Sequence, residues 1–230
     1  MKIIGLIGGM SWESTVQYYI QINKTINERL GGLHSAKIVL YSVDFEEIER
    51  LMRAGDWEAA AIILADAARS LEAAGAAFLV MCTNTLHKVA HLIEAAVAIP
   101  LLHITDTTAM EIKHAGHTTV GLLGTRFTME ESFYRDRLGD LHGLRVLVPD
   151  ARDQDTVHRI IFDELCLGII NPKSRSEYRA IMARLASQGA QAIILGCTEI
   201  SMLVSQQDCG VPLFDTTAIH ANAAAAEALA

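Results

Sequence analysis

Basic charge is scarce in this chain: 19 Lys and Arg stand against 27 Asp and Glu, for a formal net charge of −8. No nucleic-acid partner is expected, because a phosphate-binding surface needs a basic face. Long apolar runs are missing too. None reaches the roughly 18 residues that a spanning helix requires, so no membrane association is expected. The opening MKIIGLIGGM holds one lysine and an apolar stretch. That stretch is short for a secretory leader and is broken by Gly8 and Gly9, so a cytoplasmic location is the expectation.

Cysteine is limited to Cys82, Cys166, Cys197 and Cys209, with no C-x-x-C pair. A cytosolic chain of this length has no need of disulfides. His87 and His91, like His114 and His117, are spaced for one helix face, but no Glu or Cys nearby completes a ligand set. No metal is expected. The pattern G-x-G-x-x-G is absent, and so is a Walker sequence. Proline is also rare, four residues against sixteen glycines, which suits strand-to-helix turns.

What is present is apolar substance. The 230 residues are 51% hydrophobic and 20% charged, enough to core one large domain or two small ones. Short apolar runs such as KIIGLIG, KIVLYSV, AAFLVM, VGLLG, LRVLV and QAIILG end at turn-forming residues. Most are followed by a helix-length segment. Continuous apolar strands between helices predict α/β architecture with mostly parallel sheets covered on both faces.

The chain also repeats itself. KIIGLIGGMSWES is echoed by TTVGLLGTRFTME, and IPLLHITDTTA by VPLFDTTAIHA. Gly75–Thr83 (GAAFLVMCT) aligns without a gap on Gly189–Cys197 (GAQAIILGC), pairing Thr83 with Cys197. Three echoes in one order predict two pseudo-symmetric halves, 1–98 plus 212–230 and 99–211, with the active site between them. Ligands of such sheets bind outside the carboxyl ends of the strands.

Two turns hold the chemistry. In I-L-G-C-T-E, Cys197 follows an apolar strand and precedes a helix expected near Thr198 or Glu199. A helix N-terminus would lower the thiol's pKa and make it a usable base. The bland alternative is a small buried hydrophobe. In V-M-C-T-N-T-L-H, the polar Thr83, Asn84 and Thr85 cap the next helix or bind a carboxylate. His87 fits a structural role at least as well as a catalytic one. The G-G-M-S turn lets backbone N–H groups approach a small anion, with Met10 bordering the pocket. Its counterpart offers Thr125 and Thr128, and Arg126 is either a carboxylate partner or a surface residue.

With these motifs, G-L-I-G-G-M-S, C-T-N-T-L-H and G-C-T-E, the chain resembles the aspartate/glutamate racemase family over nearly its whole length. S-W-E-S-T and L-G-G-L-H-S-A resemble its broad-specificity or L-aspartate/glutamate-specific bacterial branch. The resemblance implies amino-acid racemisation without pyridoxal phosphate or metal, hence no cofactor. It also implies two acid/base groups acting on opposite faces of the α-carbon. Cys197 matches the later catalytic position. The earlier one is Thr83, a departure, and Cys82 lies one residue too soon. An alcohol does not titrate in the range of a thiol, so the Thr83 face is weakened, and L-aspartate or L-glutamate are expected as the better substrates.

The implied substrate-binding set is Met10, Asn84, Thr85, Thr125, Glu164 and Thr198. Where family members carry side-chain-binding Arg and Lys residues, this chain has only Arg53 as an uncertain substitute and Cys166 near the expected Lys; Glu164 would face the ammonium. The expected partner is a small amino acid, and a homodimer is the candidate oligomer. Two other readings stay open: a single-cysteine decarboxylase resembling the arylmalonate enzymes, and a small-acid sensor that has lost turnover.

Overall fold

The computed structural model describes residues 1–230, which form two compact units, Met1–His103 with His220–Ala230, and Ile104–Ile219. In the first unit, β1 (Ile4–Gly8), β2 (Ile38–Ser42), β3 (Phe78–Met81) and β4 (Leu101–Leu102) form a parallel sheet in the order β2-β1-β3-β4. Every residue of β1 and β3 is buried, which accounts for their unbroken apolar sequence. Helices α1 (Trp12–Leu30), α2 (Phe45–Ala54) and α3 (Trp57–Ala73) start at Ser11, Asp44 and Asp56, whose side chains accept the backbone N–H of Ser14, Glu46 and Ala59. A 3-10 turn (Thr85–Val89) and the short α4 (Ala90–Glu94) follow β3.

The second unit contains α5 (Ile104–His114), β5 (Thr119–Gly124), α6 (Arg126–Glu130), α7 (Ser132–Asp136), β6 (Arg145–Leu147), α8 (Ala151–Asp163), α9 (Pro172–Ser187), β7 (Ala192–Gly196), α10 (Ile200–Leu203) and β8 (Leu213–Asp215). The last helix, α11 (Thr216–Leu229), begins here and ends in the first unit. Its sheet is again parallel, in the order β6-β5-β7-β8.

The two sheets share one topology and one register. Ile4 lies opposite Phe78 just as Val120 lies opposite Ala192, and Leu79 opposite Leu101 as Ile193 opposite Leu213. The likeness extends to packing. A Cβ on Gly5 would stand 3.3 Å from the Leu71 Cβ of α3, and one on Gly121 would stand 3.3 Å from the Leu185 Cβ of α9. These glycines therefore let a helix lie close over the centre of its sheet, which explains why both echoed strands carry Gly there.

The units divide later than residues 98 and 212. Each Pro-led strand closes the sheet formed by the segment before it, β4 beside β3 and β8 beside β7. The following helix is what changes unit. Ile104, Ala109 and Ile112 of α5 pack with Val120 and Leu122, while Ala221, Ala224 and Ala225 of α11 pack with Ile4, Leu6 and Tyr18. The ladder fixes the strand, and the apolar helix face fixes the exchange.

Candidate functional site

Consider first the carboxyl ends of β1 and β3. Gly8 and Gly9 are required for close approach: a Cβ on Gly9, which has φ +93°, would stand 2.3 Å from the Val43 carbonyl oxygen. The Gly9 N–H donates to Thr15 Oγ1 at 2.9 Å. That N–H is thus committed within the chain and is not one that an anion would take. Met10 is buried in this turn, next to the cap Ser11.

After β3, successive residues diverge. Cys82 is 0% exposed and lies in the core with Ile4, Leu6 and Tyr18. Burial pushes its thiol far above the ordinary range. It is an inert core thiol and no stand-in for Thr83. Thr83, Asn84 and Thr85 are buried as well. Asn84 precedes the 3-10 turn without capping it through its side chain, so the helix-capping explanation fails for this residue.

His87 holds the turn. Its Nδ1–H donates to the Thr83 carbonyl at 2.8 Å, a bond that fixes the tautomer. Its ring stacks, tilted, on His103 with centroids 4.4 Å apart. Behind it, His220 Nε2 donates to the Leu102 carbonyl at 2.8 Å and its Nδ1 accepts from the Tyr18 hydroxyl at 3.0 Å. Burial pulls His220 down to about 4, so it is neutral near pH 7.

In the second unit, β7 ends at Gly196 and Cys197 follows. Its thiol donates to Glu199 Oε2 at 2.9 Å, and the Thr198 hydroxyl donates to the same oxygen at 2.8 Å. Cys197 is buried, 7% exposed, in an apolar cluster with Tyr178, Ile200 and Leu203. Burial first, then the Glu199 carboxylate, raise its pKa well above the ordinary value. This reverses the expected lowering. The helix after the turn, α10, has only four residues and starts later than expected, so little dipole opposes burial and a carboxylate. The resting group is a thiol.

Glu199, to which the sequence reading gave no role, stands against the thiol. It is buried, and its carboxylate collects two donors from the residues just before it. The signal was present in G-C-T-E, but only the folded turn shows the glutamate bending back onto the cysteine. Tyr178 lies in the same region, its phenol raised by burial and then by Cys197 and Glu199.

Other expected residues have partners of their own. Thr125 caps α6 by accepting the Thr128 N–H at 3.3 Å, as Ser11 caps α1. Arg126 is half-exposed and pairs with Asp155 and Glu130, a surface role. Glu164 accepts from Ser174 Oγ at 2.7 Å and lies 3.5 Å from Arg159, so its carboxylate is already compensated. Arg53 pairs with Glu49 on the surface of α2.

The chain is similar to known proteins over its full length. A candidate Asp/Glu racemase from Yersinia pestis is 60% identical, with complete coverage of both chains and a TM-score of 0.93. An aspartate racemase homologue from Pyrococcus horikoshii is 35% identical, with complete coverage of both and a TM-score of 0.86. A broad-specificity amino-acid racemase of Bacillus subtilis is 27% identical over 99% of each chain. No helix is long and apolar enough to cross a membrane. The family model described as Asp/Glu/Hydantoin racemase matches residues 7–224; the chain belongs to that family and is an isomerase of the pyridoxal-phosphate-independent amino-acid racemase type.

Proposed function

We propose that the protein racemises aspartate or glutamate, with Cys197 exchanging the α-proton and Glu199 serving that thiol. The observation that carries this reading is the 2.9 Å contact between Cys197 Sγ and Glu199 Oε2. A buried thiol is a poor base until its proton has somewhere to go. Here the acceptor is already hydrogen-bonded. Transfer of the proton from Sγ to Oε2 leaves a thiolate and a neutral carboxyl. The thiolate then takes the α-hydrogen of the L-amino acid, leaving a carbanion whose charge spreads into the substrate carboxylate. Reprotonation on the other face completes inversion.

Thr83 is the residue equivalent to Cys197 in the duplicated register, and we assign it to that second face. Its alcohol passes a water proton rather than holding one of its own, because it does not ionise near neutral pH. Met10, Asn84, Thr85 and Thr198 are proposed to bind the substrate. Thr125 contributes its hydroxyl from the α6 cap. Glu164 is kept as an ammonium-facing group only in its compensated form, held by Ser174 and Arg159. A cytoplasmic setting fits this use of free thiols.

The test is deuterium uptake at the α-carbon in heavy water, measured with L- and D-aspartate and L- and D-glutamate. The L-forms should exchange faster, and inversion should accompany exchange. Faster exchange from the D-forms would reverse the assignment of faces. No exchange from any of the four would end the reading.

A further inference from the structure

Three imidazoles lie buried in the first unit around the carboxyl ends of β3 and β4: His87 is 3%, His103 7% and His220 0% exposed. An imidazole in a core is unfavourable unless its nitrogens have partners, and an aliphatic side chain would fill the same space more simply. These rings are linked to one another instead. Tyr18 of α1 donates to His220 of α11, which donates to the Leu102 carbonyl at the end of β4. The next residue, His103, stacks on His87, and His220 meets the same ring edge-on with centroids 6.0 Å apart. His87 in turn donates to the Thr83 carbonyl. The Thr83 N–H is engaged as well, donating to the Met81 carbonyl at 2.8 Å. Both backbone groups of Thr83 are therefore tied, one to its own strand and the other to the histidine. A residue has only two soft backbone dihedrals, so fixing both groups sets the direction in which its side chain departs.

The twin turn shows what this link replaces. In the gapless register that pairs Thr83 with Cys197, His87 corresponds to Ser201, and the Pro-led strands pair His103 with Asp215. Ser201 donates through its side chain to Asp215, so the same two positions tie the turn to the neighbouring strand end in both units. The carbonyl is held differently. That of Cys197 accepts the backbone N–H of Ile200 at 3.1 Å, which requires no particular side chain. At Thr83 an imidazole from four residues on serves that end.

We propose that His87 is the positioning residue of the second face: its bond to the Thr83 carbonyl, braced by His103 and by His220 with Tyr18, aims the Thr83 hydroxyl at the α-carbon and so governs inversion. This rests on the assignment of Thr83 to that face. On that assignment inversion needs Thr83, whereas Cys197 alone can remove the α-hydrogen of an L-amino acid and return deuterium to the same side. Heavy water separates the two. With L-aspartate or L-glutamate, His87→Ala should cut inversion about 10- to 100-fold, the scale of a misplaced reacting group, and leave deuterium uptake into the remaining L-form within about twofold. From the D-forms uptake and inversion should fall together. His87→Asn, whose amide nitrogen takes the place of Nδ1, should restore inversion to within about threefold of wild type.

Tyr18→Phe removes one hydroxyl at the far end of the chain and should lower inversion about twofold to fivefold with L-uptake unchanged. It tests the claim even if His87→Ala does not fold. Equal loss of L-uptake and inversion would mark His87 as structural and overturn the proposal. So would a His87→Asn protein as damaged as His87→Ala, or full inversion in both His87→Ala and Tyr18→Phe. Thr83→Ala separates the two readings. If it leaves inversion intact, the assignment of Thr83 has failed and the proposal with it. If it abolishes inversion while the histidine variants invert normally, only the role of His87 has failed.

Discussion

The turn after β3 and the turn after β7 occupy the same place in twin sheets, yet they treat sulfur in opposite ways. After β3 the thiol is Cys82, directed into the core, and the next residue is an alcohol, Thr83. At the end of β7 the position equivalent to Cys82 is Gly196, and the thiol comes next as Cys197. Successive residues on an extended segment point to opposite faces, so one step in sequence separates the core cysteine of the first turn from the cysteine proposed to act in the second. Packing explains why the arrangements do not interchange. A Cβ at Gly196 would stand 2.8 Å from both Leu122 Cδ1 and the Leu123 carbonyl, whereas the first unit accommodates Cys82. The second turn therefore has no room for a side chain at Gly196, and the sulfur that follows, packed in an apolar cluster with Ile200 and Leu203, also meets a carboxylate, which Cys82 does not.

That contrast can be broken at either turn. Cys197→Ala should cost the most, toward the upper end of the about 10²–10⁴-fold expected for losing an acid/base group, seen in kcat rather than KM. Glu199→Gln should come next, at about 10²-fold in α-proton exchange. It carries a second signature. The carboxylate raises the Cys197 pKa, so its removal should speed alkylation of Cys197 at a given pH even as catalysis falls. A glutamate with no part in proton exchange would leave exchange per folded molecule nearly unchanged when replaced, although the thiol would still become more reactive. In wild type the alkylation rate should still climb with pH beyond the usual thiol range of about 8.5, because the raised pKa postpones ionisation.

Thr83→Cys sharpens the comparison by making the turns alike. Exchange from the D-enantiomer should rise about tenfold, because a titratable group replaces one that only passes protons. The gain should be absent for the L-enantiomer. Cys82→Ser has the smallest catalytic effect expected, none per folded molecule. Its cost falls on stability, about 1–3 kcal/mol by urea unfolding, from a hydroxyl placed in an apolar core.

Much of the frame was legible beforehand because the pattern carried it. Strands buried along their whole length write continuous apolar runs, and a duplicated fold writes its echoes in order. Gly5 and Gly121 appear in both echoes because each admits a leucine of the covering helix. The pairing of Thr83 with Cys197 followed from a gapless alignment, and the two sheet ladders have the same register.

Side-chain partners were less legible. Nothing local says that α10 has only four residues, so the thiol was expected to ionise early, whereas burial and Glu199 keep its proton on. Glu164 looked available in sequence, but Ser174, ten residues away, claims its carboxylate. The exchange of α5 and α11 between units was equally hidden, because a helix records that one face is apolar and not which sheet it covers.

The proposed acid/base role belongs to one of two buried cysteine thiols, the one beside Glu199. It is tested most directly by alkylating the protein with iodoacetamide in steps, locating the modified cysteines by mass spectrometry, and measuring α-proton exchange at each step. Exchange should fall in proportion to carbamidomethylation of Cys197, bound L-aspartate or L-glutamate should slow that modification, and Cys82 should stay unmodified throughout. Undiminished exchange from protein fully modified at Cys197 would contradict the account.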